Sequence, residues 1–146
     1  MNLFIILISI PVIWIILLIV YRQKKPVKIP EEKPVISFFP KYYATVRMTD
    51  SILKSNNPFS ITLDSRLEPF GFKLTKEFPE ELIFSRGSVS GDFSIKITKV
   101  NLKFKIPPSK EIRMDIEYGF MVLFDTGDLW KFTNELIEKL QKGLTV

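Results

Sequence analysis

The spacing of hydrophobic positions changes several times along this chain, and each change marks an element. From Leu3 to Tyr21 there is no spacing at all. Nineteen consecutive residues carry no charge, and Ser9 is the only strongly polar one. A helix of that length covers about 28 Å, close to the hydrocarbon thickness of a bilayer. A cleaved signal would show a basic start and small residues near its cut site, and here only Met1 and Asn2 precede the run. The pattern predicts a retained transmembrane helix over residues 1–21, rather than a cleaved signal or a buried core helix.

Residues 22–41 then show no period, with prolines at 26, 30, 34 and 40. Proline fixes φ and removes a backbone donor, so neither a helix nor an interior strand is expected. The segment reads as a semi-extended spacer, up to about 60 Å long in a polyproline II conformation. Phe38 and Phe39 stand beside Tyr42 and Tyr43. Two readings fit them: cover for the edge of a domain core, or an aromatic patch at a membrane interface.

The domain proper is expected over residues 42–146. Tyr42, Ala44, Val46 and Met48 alternate as one face of a strand. Residues 50–57 are ambiguous. Asn57 as N-cap, Pro58 at the first helical position, and Phe59, Leu63, Leu67 and Phe70 at helical spacing predict a helix closed by Pro69 and Gly71. Beyond Phe72 the period is two. "FKLTKEF" and "ELIFSRGS" predict a hairpin around Pro79 and Glu80.

In "DFSIKITKVNLKFKI" the apolar phase flips. Phe93, Ile95 and Ile97 are odd, whereas Val100, Leu102, Phe104 and Ile106 are even, which requires a bulge or tight turn near Thr98 and Lys99. Ile112, Met114, Ile116, Tyr118 and Phe120 form the apolar face of the next strand. A five-residue loop over 107–111 would set Phe104 opposite Met114 and Lys103 opposite Asp115. Finally Asp125 or Thr126 caps a helix whose stripe is Leu129, Phe132, Leu136 and Leu140, widened by Ile137 and Leu144. The expected fold class is α+β. An antiparallel sheet of about five strands is packed by two helices, the longer at the C-terminus.

Charge refines this picture. The net +5 resides mostly in residues 22–41, which hold six cations and two anions; residues 42–146 hold fifteen cations and fourteen anions. Arg22, Lys24, Lys25 and Lys28 crowd the C-terminal flank of the apolar run. By the positive-inside rule the amino terminus faces out, and the domain lies on the cytoplasmic side or its stromal equivalent. A nearly neutral domain does not point to nucleic acid. The expected partners are the lipid bilayer and a larger membrane protein complex.

The chain holds no histidine and no cysteine. The usual zinc sites and the Ser-His and Cys-His nucleophile pairs are therefore absent, and no catalytic constellation, metal site or cofactor is expected. Glu31-Glu32 and Glu80-Glu81 read as solvated turn charges, and Asp115 and Glu117 as members of a cross-strand charge ladder. Arg86, Gly87 and Ser88 in "SRGSVSGD" are the one candidate turn for an anion or lipid headgroup, although a plain turn explains them as well. Within the span, Pro11 removes a backbone hydrogen bond, and Trp14 is a candidate for packing on another helix.

The stretches "LEPFGF", "LIFSRGS" and "FDTGDLWKFTNELIEKL" are similar to small membrane-anchored α+β proteins of bacteria, cyanobacteria among them. That resemblance covers roughly residues 42–142 and implies no activity. The chain departs from it at Asp125-Thr126-Gly127-Asp128, and in a shorter hairpin after Ser88. The element order is also similar to helix-grip lipid-binding domains, at the level of fold analogy alone. The expected function is a single-pass membrane-anchored structural or interaction protein, accessory to a larger membrane complex. The alternative is a binding module for a lipophilic ligand held between the sheet and the C-terminal helix.

Overall fold

A computed structural model describes residues 3–47, 59–87, 99–105 and 111–142. Helix α1 (Leu3–Gln23) holds Pro11 within it and ends two residues beyond the expected limit. Of its side chains, those from Ile8 onward are described. Among the described residues no helix is long and apolar enough to cross a membrane. The expected span over residues 1–21 is therefore met as a helix and not, within those residues, as a crossing. The sixteen described side chains, 8–23, cover about 24 Å, short of a bilayer core.

The domain is α+β, as the alternation predicts. Strands β1 (Val27–Lys28), β2 (Ser37–Phe38) and β3 (Lys41–Arg47) precede helix α2 (Phe59–Leu67), a 3-10 turn (Glu68–Phe70) and the hairpin β4 (Lys73–Phe78) and β5 (Glu81–Arg86). Then come β6 (Val100–Lys105), β7 (Glu111–Tyr118), β8 (Phe124–Asp125) and helix α3 (Asp128–Lys142). Six strands form one sheet in the order β1-β3-β7-β6-β5-β4, and β2 pairs with β8 apart from it.

The expectation of an antiparallel sheet of about five strands needs correction, because the sheet is mixed. Strand β1 runs parallel to β3, with Val27 opposite Tyr42 and Lys28 opposite Tyr43. The physical reason lies in the proline spacing. Pro26 and Pro30 leave residues 27–29 free to bond on one side, and an edge strand needs no more. The Ile29 amide donates to the Tyr43 carbonyl at 3.0 Å. Nor is the segment a free spacer. The indole Nε1 of Trp130 on α3 donates to the Pro30 carbonyl at 2.7 Å.

Elsewhere, alternation sets the register. Phe104 lies opposite Met114, and Lys103 opposite Asp115. Tyr42, Ala44 and Val46 on β3 face the same way as Ile112, Met114 and Ile116 on β7, and all are buried. On that face Phe84 and Phe104 meet edge-on at 5.7 Å. Leu63 and Leu67 of α2 and Leu129, Leu136 and Leu140 of α3 close over it. A small α+β domain of this kind depends on such a shared apolar layer. Gly71 (φ +78) ends the 3-10 turn in the left-handed region, which glycine enters without a Cβ penalty. Met48, residues 50–57, Pro58, Phe93 to Ile97, the phase flip at Thr98, Ile106 and Leu144 lie outside the described residues.

The opposite face carries the charge ladder. Its pairs run diagonally, along one strand and across. Lys103 reaches Glu117 at 2.6 Å and Lys105 reaches Asp115 at 3.6 Å diagonally. Arg113 holds Asp115 at 2.6 Å along β7, and Lys41 meets Glu117 directly opposite at 3.5 Å. Lys41 and Asp115 are nonetheless buried there. The end of α1 lies over Lys41, whose Nζ donates to the Tyr21 carbonyl at 2.8 Å and sits 4.0 Å from the Tyr21 ring centre.

Candidate functional site

Where β7 stops at Tyr118, the Gly119 amide donates to the Lys99 carbonyl at 2.7 Å and the chain leaves the sheet. It runs through five apolar residues, Phe120, Met121, Val122, Leu123 and Phe124, and returns at Asp125. Strand β2 lies antiparallel beside the returning arm, with Ser37 opposite Asp125 and Phe38 opposite Phe124. Two apolar segments distant in sequence, 35–39 and 120–124, are thus held side by side.

Asp125 secures the base of this arrangement. Its Oδ2 accepts from the Gly127 amide at 3.0 Å and the Leu129 amide at 3.3 Å, which caps α3. Its Oδ1 accepts from the Tyr118 hydroxyl at 2.8 Å. Burial, and then the bond to Asp125, push the Tyr118 hydroxyl pKa well up. Burial also raises that of Tyr42, against the opposing effect of its 2.8 Å hydrogen bond with Ser37. At Gly127 (φ +89) a side chain would meet Lys33 and the Pro34 carbonyl, so this turn accepts only glycine comfortably.

The end of α1 is clasped to the same structure. The Tyr21 hydroxyl donates to the carbonyls of Tyr118 (3.2 Å) and Phe120 (3.3 Å), sharing one proton between them. Its ring centre is 5.9 Å from that of Phe39, and the Lys24 ammonium donates to the Phe38 carbonyl. Phe39 adopts φ +47, unusual for a residue with a Cβ, and its amide donates to the Leu123 carbonyl at 2.9 Å. That turn sends Phe38 outward while Phe39 faces Tyr21. Together these contacts form a collar around the end of α1. A cavity of about 410 Å³ opens beside it, lined by Trp14, Phe120, Leu123 and Phe124 together with Asp125 and Asp128.

The chain matches no protein-family model and no curated protein. Its geometry must therefore carry the functional reading.

The candidates read from the sequence divide between this collar and other parts of the fold. Trp14 lines the cavity, and Lys24 joins the collar, while Arg22, Lys25 and Lys28 are exposed on the flank. Pro11 lies within α1, exposed. Arg86 is elsewhere. Its guanidinium stacks 4.0 Å from the Phe132 ring centre and 5.3 Å from that of Phe72, and its Nη1 donates to the Phe70 carbonyl at 3.3 Å. Burial lowers its pKa. Gly87 has φ +75, and Ser88 lies outside the described residues.

The four aromatics at 38, 39, 42 and 43 separate as well. Tyr42 joins the core, Tyr43 lies under Arg113 on the outer face, Phe39 meets Tyr21, and Phe38 is 66% exposed. Sequence reasoning missed Tyr21, Lys41 and the apolar loop 120–124, and it extended the strand face to Phe120, whereas β7 ends at Tyr118. The signal for the loop was present, since "GFMVLF" is a continuous apolar run where alternation ends and a turn must form.

Among the described residues no three acidic, histidine or cysteine side chains converge as a metal site. What the collar offers chemically is apolar surface and a few backbone and carboxylate acceptors.

Proposed function

We propose that the chain is a single-pass membrane-anchored interaction module in which α1 crosses the bilayer and the α+β domain docks on a larger membrane complex. The observation that carries this reading is the surface of α1. Val12, Ile13, Trp14, Ile15 and Ile16 are consecutive and all about half exposed. Successive helix residues turn by about 100°, so these five face every direction. A helix apolar on all sides needs an apolar surround, and the domain covers only its last turns. The uncharged stretch from Leu3 to Tyr21 supports a full crossing. The cations Arg22, Lys24, Lys25 and Lys28 support an outward amino terminus and a domain on the cytoplasmic side.

The alternative, a lipophilic ligand between sheet and C-terminal helix, draws less support. Phe72, Phe84, Phe104, Leu129 and Leu136 fill that interface with almost no exposure. The cavity opens instead beside Trp14.

The test is extraction and pull-down of the full chain. Retention in membranes through alkaline carbonate, with co-elution of a stoichiometric membrane complex in mild detergent, is the expected result. Release by carbonate would remove the anchor reading. Retention with no companion protein would remove the docking reading.

A further inference from the structure

We infer that the apolar rim formed by residues 35–38 and 120–124 is a second membrane contact, inserting into the lipid bilayer beside α1 and fixing the domain against its surface. This rests on the anchor reading above.

The first support is exposure that the fold does not explain. Val35 is 86% exposed, Phe38 66% and Phe124 60%, with Ile36 and Leu123 beside them. Scattered exposed apolar residues are ordinary, but here strand pairing brings them together, with Phe38 directly opposite Phe124. A soluble loop of this size would more often be polar.

The second support is continuity with α1. The loop touches Tyr21 through the Phe120 carbonyl, and it shares a cavity wall with Trp14. Seven residues of helix separate Tyr21 from Trp14, a rise of about 10 Å. The rim therefore runs back along the apolar part of α1 rather than away from it. If Tyr21 stands at the lipid–water boundary, residues 120–124 reach the depth typical of interfacial apolar faces, about 5–10 Å below the headgroups.

The third support is charge. Lys24 donates to the Phe38 carbonyl at the rim, and its chain neighbours Arg22 and Lys25 are exposed, as is Lys28. Exposed cations close along the chain to the lysine that holds this edge complement anionic headgroups above and acyl chains below. The strained turn at Phe39 fits the same purpose, because it separates one phenylalanine for the clasp from one for the lipid.

The chain holds no cysteine, so single labels can be placed cleanly. Full-length Phe38→Cys, Phe124→Cys, Trp14→Cys and Lys76→Cys would each carry an environment-sensitive fluorophore. Each would be reconstituted at one chain per nanodisc of phosphatidylcholine with phosphatidylglycerol, with and without lipids bearing a nitroxide high on the acyl chain. The expected result is a blue shift and loss of most emission at positions 38 and 124, with no change at Lys76, which is exposed on the far edge strand β4.

Labels at 38 and 124 that stay unquenched would overturn the rim, whatever happens at position 14. Quenching at 14 in that case would leave the anchor standing, and the rim would then serve another protein or a second copy. No quenching at 14, 38 or 124 would overturn both.

Discussion

The Tyr118 hydroxyl donates to Oδ1 of Asp125 over 2.8 Å, while the other oxygen of the same carboxylate caps helix α3. One buried acid thereby ties the end of the longest strand to the start of the last helix. It also sets where the apolar loop 120–124 leaves and rejoins the domain.

Alkaline pH should weaken this tie. The folded chain holds the Tyr118 proton more tightly than the unfolded chain, whose tyrosine titrates near 10.0. A raised folded pKa means stability that is full below about pH 10 and lost as pH rises beyond it. Tyr42 adds in the same direction. Denaturant melts of the full chain in detergent between pH 8 and 11 should show this decline. Tyr118→Phe should make it shallower while lowering stability at pH 8 by about 1–2 kcal/mol.

Asp125→Ala removes the cap and leaves the Tyr118 hydroxyl without its acceptor, both in buried surroundings. The two losses together should amount to about 2–4 kcal/mol. Asp125→Asn keeps one oxygen to accept from the cap amides, while its NH2 group can only donate to the Tyr118 hydroxyl oxygen, and it should lose less than half as much. Equal losses in the two variants would show that charge, rather than hydrogen bonding, holds the turn.

In the ladder, Glu117 is bound to both Lys41 and Lys103, and the side chain of Lys41 is only 8% exposed against 33% for Lys103. Glu117→Gln leaves the buried Lys41 ammonium, which donates to the Tyr21 carbonyl, without its counter-charge, and should cost about 1–3 kcal/mol. Lys103→Gln touches a half-buried pair whose ammonium still reaches solvent, and should cost less, about 1 kcal/mol. Chemical denaturation of the two variants decides the order.

Trp130→Phe keeps the ring and deletes the bond to the Pro30 carbonyl. An exposed hydrogen bond of this kind contributes about 1 kcal/mol, or roughly a fivefold change in local opening. Hydrogen exchange at the Ile29 amide, which bonds β3 at 3.0 Å, should quicken by that factor. Core amides of β7 should not change.

Phe104 is 1% exposed and packs edge-on against Phe84. Phe104→Ala should cost about 3–5 kcal/mol, enough to unfold a marginal domain at moderate temperature. Circular dichroism would report the lost cooperative melt.

The hairpin β4–β5, the pairing of Phe104 with Met114, the stripe of α3 and a cap at Asp125 or Thr126 were all legible from residue order, and the structure selects Asp125. Each depends on neighbours close along the chain, where period two or a helical period sorts side chains onto faces without reference to the whole. The apolar character of α1 was legible for the same reason. The parallel strand β1 was not, because two residues between prolines carry no period, and their partners in β3 lie fifteen positions away. Nor was the collar, which joins Tyr21, Phe39, Lys41 and Phe120 across contacts of up to 99 residues. Alternation told which residues of β3, β6 and β7 turn inward. Only the tertiary structure decided which outward residues meet, since an exposed apolar segment such as 35–38 or 120–124 acquires meaning from the neighbour that chain folding sets beside it.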